Sequence, residues 1–240
     1  MMHCRLAVFA ALWGLAAGLL TARDADAAFL GPSPYLSFSD RPFTAPTGDY
    51  YYLEDFEDGA LSTTGVTASG GVVADPGALT DSVDDDNGPI DGSGISGHSW
   101  YSNFATSSFA FTFSSVALGA LPTHAGIVWT DVGSVTEGTA GYGSVTFEAF
   151  GPTNLSLGSI GPVVLGDGLA TGTTAEDRFF GVANLAGISR IVISTTNSTD
   201  WEVDHLQYAR LIVPEPVAVL LAAVALVGVA LTGRRPRSRF

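Results

Sequence analysis

The residues best equipped for chemistry are oxygen donors crowded into one loop. Between positions 81 and 92 stand Asp81, Ser82, Asp84, Asp85, Asp86, Asn87 and Asp91, with Gly88 and Gly92 permitting a tight turn. Calcium takes about 6–8 oxygen ligands, mostly carboxylates and carbonyls, from turned loops of this kind. Asp84, Asp86 and Asn87 beside Gly88 are therefore candidate calcium ligands, and the plain alternative is a solvated acidic loop. A second group of acids is split along the chain. Glu54, Asp55, Glu57 and Asp58 stand early, while Glu202 and Asp204 stand late, next to His205.

Other chemistries lack their residues. His98, His124 and His205 are far apart and belong to no H-x-H or H-E-x-x-H pattern, so each reads as a packed or surface side chain. Lysine is absent, which removes the P-loop, Schiff-base chemistry and Ser–Lys dyads. No serine sits in G-x-S-x-G. Glu148 with Glu202 can be paired as glycosidase carboxylates, but among so many acids any pair can be chosen, and their separation is not written in sequence. Trp100, Tyr101, Trp129 and Trp201 could stack on sugar rings, although strand aromatics more often fill a core. The 81–92 loop is similar in spacing to the start of an EF-hand loop, yet it lacks the terminal glutamate and helical flanks.

The charge is lopsided. The chain of 240 residues carries 24 acids and 10 bases, a net −14. Within 29–212 only Arg41, Arg178, Arg190 and Arg210 face twenty-one acids, leaving that body near −17. Nucleic-acid binding rests on cations that neutralise phosphates, so no nucleic-acid partner is expected. The single cysteine, Cys4, precedes everything that could fold outside the cell, so no disulfide or thiol site is expected.

The elements that must hold these residues are strands. Short runs rich in β-branched and aromatic residues recur between Gly, Pro, Asp and Asn. Phe109, Phe111 and Phe113 alternate, as do Val145, Phe147 and Ala149, and each set implies one buried face. In the final strand, plain alternation puts Val203, His205 and Gln207 on one side and Asp204, Leu206 and Tyr208 on the other. About nine or ten strands in 50–212 predict an all-β domain, an antiparallel β-sandwich of jelly-roll-like form whose first and last strands are neighbours. Residues 28–49, with several prolines, read as an irregular leader.

Both termini carry export signals. Arg5, an apolar stretch over 6–20 and Ala25-Asp26-Ala27 predict a signal peptide over 1–27. At the other end, Val213-Pro214-Glu215-Pro216 is held extended by its prolines, and an uncharged apolar helix is expected over 217–232. Arg234, Arg235 and Arg237 follow, which puts the body outside the cytoplasm. This order of parts resembles the PEP-CTERM sorting signal of Gram-negative bacteria. The resemblance covers 213–240 and implies an exosortase as partner, passage through the inner membrane, and cleavage near the motif that leaves the mature form at the surface or outside the cell. The body is loosely similar to secreted carbohydrate-binding jelly rolls that hold a structural calcium between their first and last strands. That likeness implies calcium ligands at Glu54, Glu57 and Asp204.

These readings favour a non-enzymatic exported protein of the cell surface or extracellular (biofilm, exopolysaccharide) matrix. The alternatives are a carbohydrate-binding module or carbohydrate-active enzyme on a calcium-stabilised jelly roll, and a tail-anchored envelope protein that keeps its helix.

Overall fold

The computed structural model describes residues 26–43, 49–85, 96–133, 143–165, 176–196 and 198–211. The signal peptide before residue 26, the motif Val213–Pro216, the apolar stretch 217–232 and the arginines 234, 235 and 237 lie outside them. No helix among the described residues is long and apolar enough to cross a membrane.

Among the described residues, twelve strands form two antiparallel sheets. They are β1 (Ala28–Pro34), β2 (Tyr50–Glu54), β3 (Val66–Ala68), β4 (Val72–Ala74), β5 (Ser99–Tyr101), β6 (Ser108–Phe113), β7 (His124–Asp131), β8 (Ser144–Phe150), β9 (Ser156–Val164), β10 (Arg178–Ala183), β11 (Arg190–Thr196) and β12 (Glu202–Arg210). The larger sheet runs β1-β10-β7-β12-β5-β4, with β2 also pairing β12; the smaller runs β3-β6-β11-β8-β9. A one-turn helix, α1 (Ser115–Leu118), is capped by the Ser114 side chain and closes at Gly119. The β2–β12 pairing places Glu54 opposite Leu206, so the opening and closing strands of 50–212 are neighbours.

The two sheets face each other across one aromatic core, which makes the body a β-sandwich. Phe109, Phe111 and Phe113 of β6, Val145, Phe147 and Ala149 of β8, and Ile191 and Ile193 of β11 meet Ile127, Trp129, Phe180, Val203, Leu206 and Tyr208 of the larger sheet. Phe109 stacks on Trp201 at 4.4 Å between ring centroids, and Phe113 meets Tyr208 at 5.0 Å. Each ring removes about 150–250 Å² from water, which makes the core the dominant stabilising element. The aromatics Trp100, Trp129 and Trp201 are buried here.

Residues 28–34, expected within an irregular leader, instead pair with β10 as β1. Two prolines did not prevent this, because β1 is an edge strand and only one side of its backbone must donate. The chain then crosses the outer face of the larger sheet. There Tyr35, Phe43 and Val83 pack on Val128 and Phe179, forming a second, smaller core. Gly126 makes room for it: a Cβ there would stand 2.2 Å from the Phe179 ring. Covered on both faces, β7 is buried from Ala125 to Asp131, so its compact apolar run shows no alternation.

Candidate functional site

One irregularity in β12 decides what its polar residues can reach. Asp204 pairs with Val128 and Gln207 with Gly126, so three steps on β12 match two on β7. This is a β-bulge, and His205 sits in it with φ of 44°. Val203, Leu206 and Tyr208 keep facing the core. Asp204 and His205 are then consecutive residues bonded to the same covering segment, and plain alternation from Val203 to Gln207 does not hold. The extra residue is what sequence periodicity had no means to show.

The covering segment is the start of the acidic loop. Asp81 N donates to Glu202 Oε2 at 3.0 Å, Ser82 Oγ and Val83 N donate to Asp204 Oδ2 at 3.1 and 3.0 Å, and Asp84 Oδ1 lies 2.9 Å from His205 Nε2. The loop is thus laid along β12, residue by residue. Two acids expected in separate constellations, Asp84 and Asp204, meet here. Asp86 and Asn87 lie outside the described residues.

From His205 a hydrogen-bonded chain runs inward. His205 Nδ1 is 2.9 Å from the Tyr35 hydroxyl, Gln207 Nε2 donates to that hydroxyl at 2.9 Å, and Tyr51 O–H donates to Gln207 Oε1 at 2.8 Å. The tautomer that satisfies all of them has Tyr35 O–H donating to Nδ1 and Nε2–H donating to Asp84. Asp204 Oδ1 accepts from the His205 backbone N–H at 2.6 Å. Burial pulls the His205 pKa down, but the carboxylates of Asp204 and Asp84 outweigh it and the net shift is upward. Burial raises Asp204 to about 7, with the His205 charge acting against it.

Ligand atoms of Asp84, Asp204 and His205 all lie within 4.8 Å of one another, which is metal-ligand spacing. One imidazole with two carboxylates suits zinc or a similar first-row ion. It fits calcium poorly, since calcium takes oxygen donors. Among the described residues, Glu54 and Glu57 are not part of this group. Glu54 pairs across from Leu206 and accepts from Phe56 N, Ser62 N and Thr63 N, at 3.2, 2.7 and 2.7 Å, pinning the turn after β2. Glu57 accepts from the His98 backbone N–H, and its other oxygen lies 3.3 Å from His98 Nδ1. Glu148, set against Glu202 as a hydrolytic pair, lies on β8 of the smaller sheet, where it accepts from Ser156 Oγ at 2.6 Å.

Sequence reading missed a second acidic group farther up β12. Asp131, at the end of β7, pairs directly with Glu202. The charges that act most strongly on Asp131 are Glu176, Glu202, Asp200 and Asp81, all carboxylates; after burial they push it up to about 10. Burial likewise lifts Glu202 to about 7, although bonds from Ser99 Oγ and Asp81 N oppose the shift. The available signal was Asp131 closing an otherwise apolar strand, and the alternation of Asp200, Glu202 and Asp204. Asp200 and Glu202 also line a cleft of about 240 Å³ with Tyr101, Phe104, Leu79 and Thr80.

No model of a known protein family matches the chain, and no curated protein matches it. A solved structure from work on glycan recognition in the Ruminococcus flavefaciens cellulosome aligns with 68% of this chain and 95% of its own, at 16% identity and a TM-score of 0.31. A likeness that slight carries nothing further.

Proposed function

We propose that this is an exported, non-enzymatic protein of the cell surface or extracellular matrix, with a jelly-roll-like body, sorted by an exosortase at Val213–Pro216. The observation that carries the non-enzymatic reading is the closure of the Asp84–His205–Tyr35 network. Tyr35, Asp204, His205 and Gln207 are each at most 1% exposed, and each is bonded within the protein. A general base must reach a proton on a substrate, and both ring nitrogens of His205 already face protein groups. The network acts as a lock that holds 35–43 and 81–84 across the sheet.

The sorting half of the proposal rests on the order motif, apolar stretch, arginines. It is tested by expressing the full chain in a host with and without an exosortase and weighing the product. The expected product ends near Pro216 only when the enzyme is present; an unchanged mass in both hosts sinks the sorting claim and leaves a tail anchor.

The second reading, a carbohydrate-binding module, is favoured by the cleft. Phe104 and Leu79 are 62% and 67% exposed there, and Tyr101 meets Phe104 edge-on at 5.5 Å, beside two acids. Aromatic faces with hydroxyl-binding carboxylates are what a sugar needs. Phe104→Ala is expected to reduce retention on an exopolysaccharide column about tenfold with an unchanged melting temperature, the loss of one stacking contact. Equal retention of both proteins overturns this reading.

A further inference from the structure

Successive residues of a regular strand point to opposite faces, so two neighbours on β12 can serve one ion only where the pairing is broken. The bulge between Asp204 and Gln207 breaks it. Ligand atoms of Asp204 and His205 lie within 4.8 Å of each other and of Asp84. Zinc bonds nitrogen and carboxylate oxygen at about 2.0–2.2 Å, so two of its ligands stand about 3–4 Å apart. His205 Nε2 and Asp84 Oδ1 are already at 2.9 Å, and the rest closes by a small turn of the Asp84 side chain, which is 34% exposed. The floor is fixed, with Asp204 0% and His205 1% exposed.

The surrounding atoms hold these ligands and leave room for an ion. An ionised carboxylate offers about four acceptor positions. Among the described residues Asp204 uses three, for Ser82 Oγ, Val83 N and His205 N, which orient it and leave one. On the far side of the imidazole stands a chain that can run either way. With the ring proton on Nε2, Tyr35 O–H donates to Nδ1, Gln207 Nε2 to Tyr35, and Tyr51 O–H to Gln207 Oε1. A metal on Nε2 puts the proton on Nδ1, and the same groups then serve in reverse. Nδ1–H donates to the Tyr35 oxygen, Tyr35 O–H to the Gln207 carbonyl, and the Gln207 amide, turned over in place, to the Tyr51 oxygen. A metal-bound histidine is oriented through its other ring nitrogen in this manner.

From this geometry we infer that Asp84, Asp204 and His205 bind a divalent ion of zinc's class, through His205 Nε2 and one oxygen of each aspartate, with solvent at the remaining position. The ion takes the place of the proton between Nε2 and Asp84, and it ties 81–84 to β12 by coordinate bonds. Imidazole with carboxylate suits zinc and its first-row neighbours, and an ion that wants oxygen alone is served worse. The site rests only on contacts along β12 and stands whether or not an exosortase sorts the chain.

The test uses the full-length chain, stripped with EDTA, dialysed and then given zinc, with calcium as control. Zinc at about a hundredfold excess over its Kd raises the melting temperature by about 5–10 °C in a domain of this size, and calcium does not. In proton–nitrogen NMR of the parent chain, which needs no variant, the His205 ring proton moves from Nε2 to Nδ1 as zinc is added. Asp84→Asn keeps an acceptor for Nε2–H but loses a ligand, so it melts as the parent does in EDTA and loses both responses. His98 is the competing site, with ring nitrogens 3.3 Å from Glu57 and 3.9 Å from Asp75. His98→Ala keeps both responses. The inference is overturned by a parent chain that ignores zinc or answers calcium equally, and by a His205 ring that keeps its proton on Nε2. A response that survives Asp84→Asn and is lost in His98→Ala also overturns it.

Discussion

Two polar groups hang on β12 only two residues apart, and they are built on opposite terms. Around Asp204 and His205, donors and acceptors alternate: two N–H groups and a hydroxyl on Asp204, an imidazole between Asp84 and Tyr35, an amide between two tyrosines. Around Glu202 and Asp131, one sign predominates, and a buried carboxylate oxygen goes unbonded. Burial alone therefore says little about what an acid does. An aspartate surrounded by donors holds the fold together, while one facing other acids is pushed toward its neutral form and costs stability.

The same substitution at the two places is expected to have opposite signs. Asp204→Asn turns an acceptor of three bonds into a group whose NH2 confronts donors, and leaves Val83 N or Ser82 Oγ unsatisfied. It should cost about 2–4 kcal/mol, read as a fall in the urea midpoint at constant slope. Asp131→Asn removes a carboxyl that folding must protonate, because burial and its acidic neighbours hold it far above the usual carboxylate range, and it keeps the shape. At neutral pH it should add about 1–3 kcal/mol. Two variants that both destabilise to the same extent would erase the distinction between the groups.

The sandwich was legible because the pattern that predicts it is the pattern that builds it. β6 and β8 each bury alternate residues against one core and leave the others outward. The leader was not legible, since what makes β1 a strand is the free edge of β10, fixed by residues about 150 positions away. Asp84 and Asp204 were each picked out as acids, but their meeting depends on the loop lying along β12, and their partner His205 depends on a one-residue bulge. Neither is a property of spacing. Asp131 was passed over for a related reason: one acid at the end of an apolar run looks like a strand terminus, and only the register with Glu202 gives it neighbours of its own sign. Glu54 shows the converse case. Its type and position suited a metal, but its oxygens accept from Phe56 N, Ser62 N and Thr63 N in the turn after β2.

The smallest effect offers a control within the molecule, because β7 begins with a histidine whose pKa is moved by burial and by no acid among the described residues. His124 packs edge-on against Phe43 at 5.4 Å and bonds the Thr123 hydroxyl at 3.0 Å. Partial burial lowers its pKa, whereas His205, a more deeply buried imidazole, is raised by its carboxylates. In a proton titration followed by NMR, the His124 ring should therefore change shift below about 6.5 and the His205 ring above it. The linkage sign follows from the direction. The unfolded chain takes up a proton at His124 more readily than the native one, so its contribution is fully present above about 6.5 and is lost as the pH falls below that value. His124→Phe should remove that part of the pH slope. Two histidines that titrate together would mean that the carboxylates around His205 do not act on it, and the bonded group on β12 would lose the charge pairing that sets it apart from the acids above.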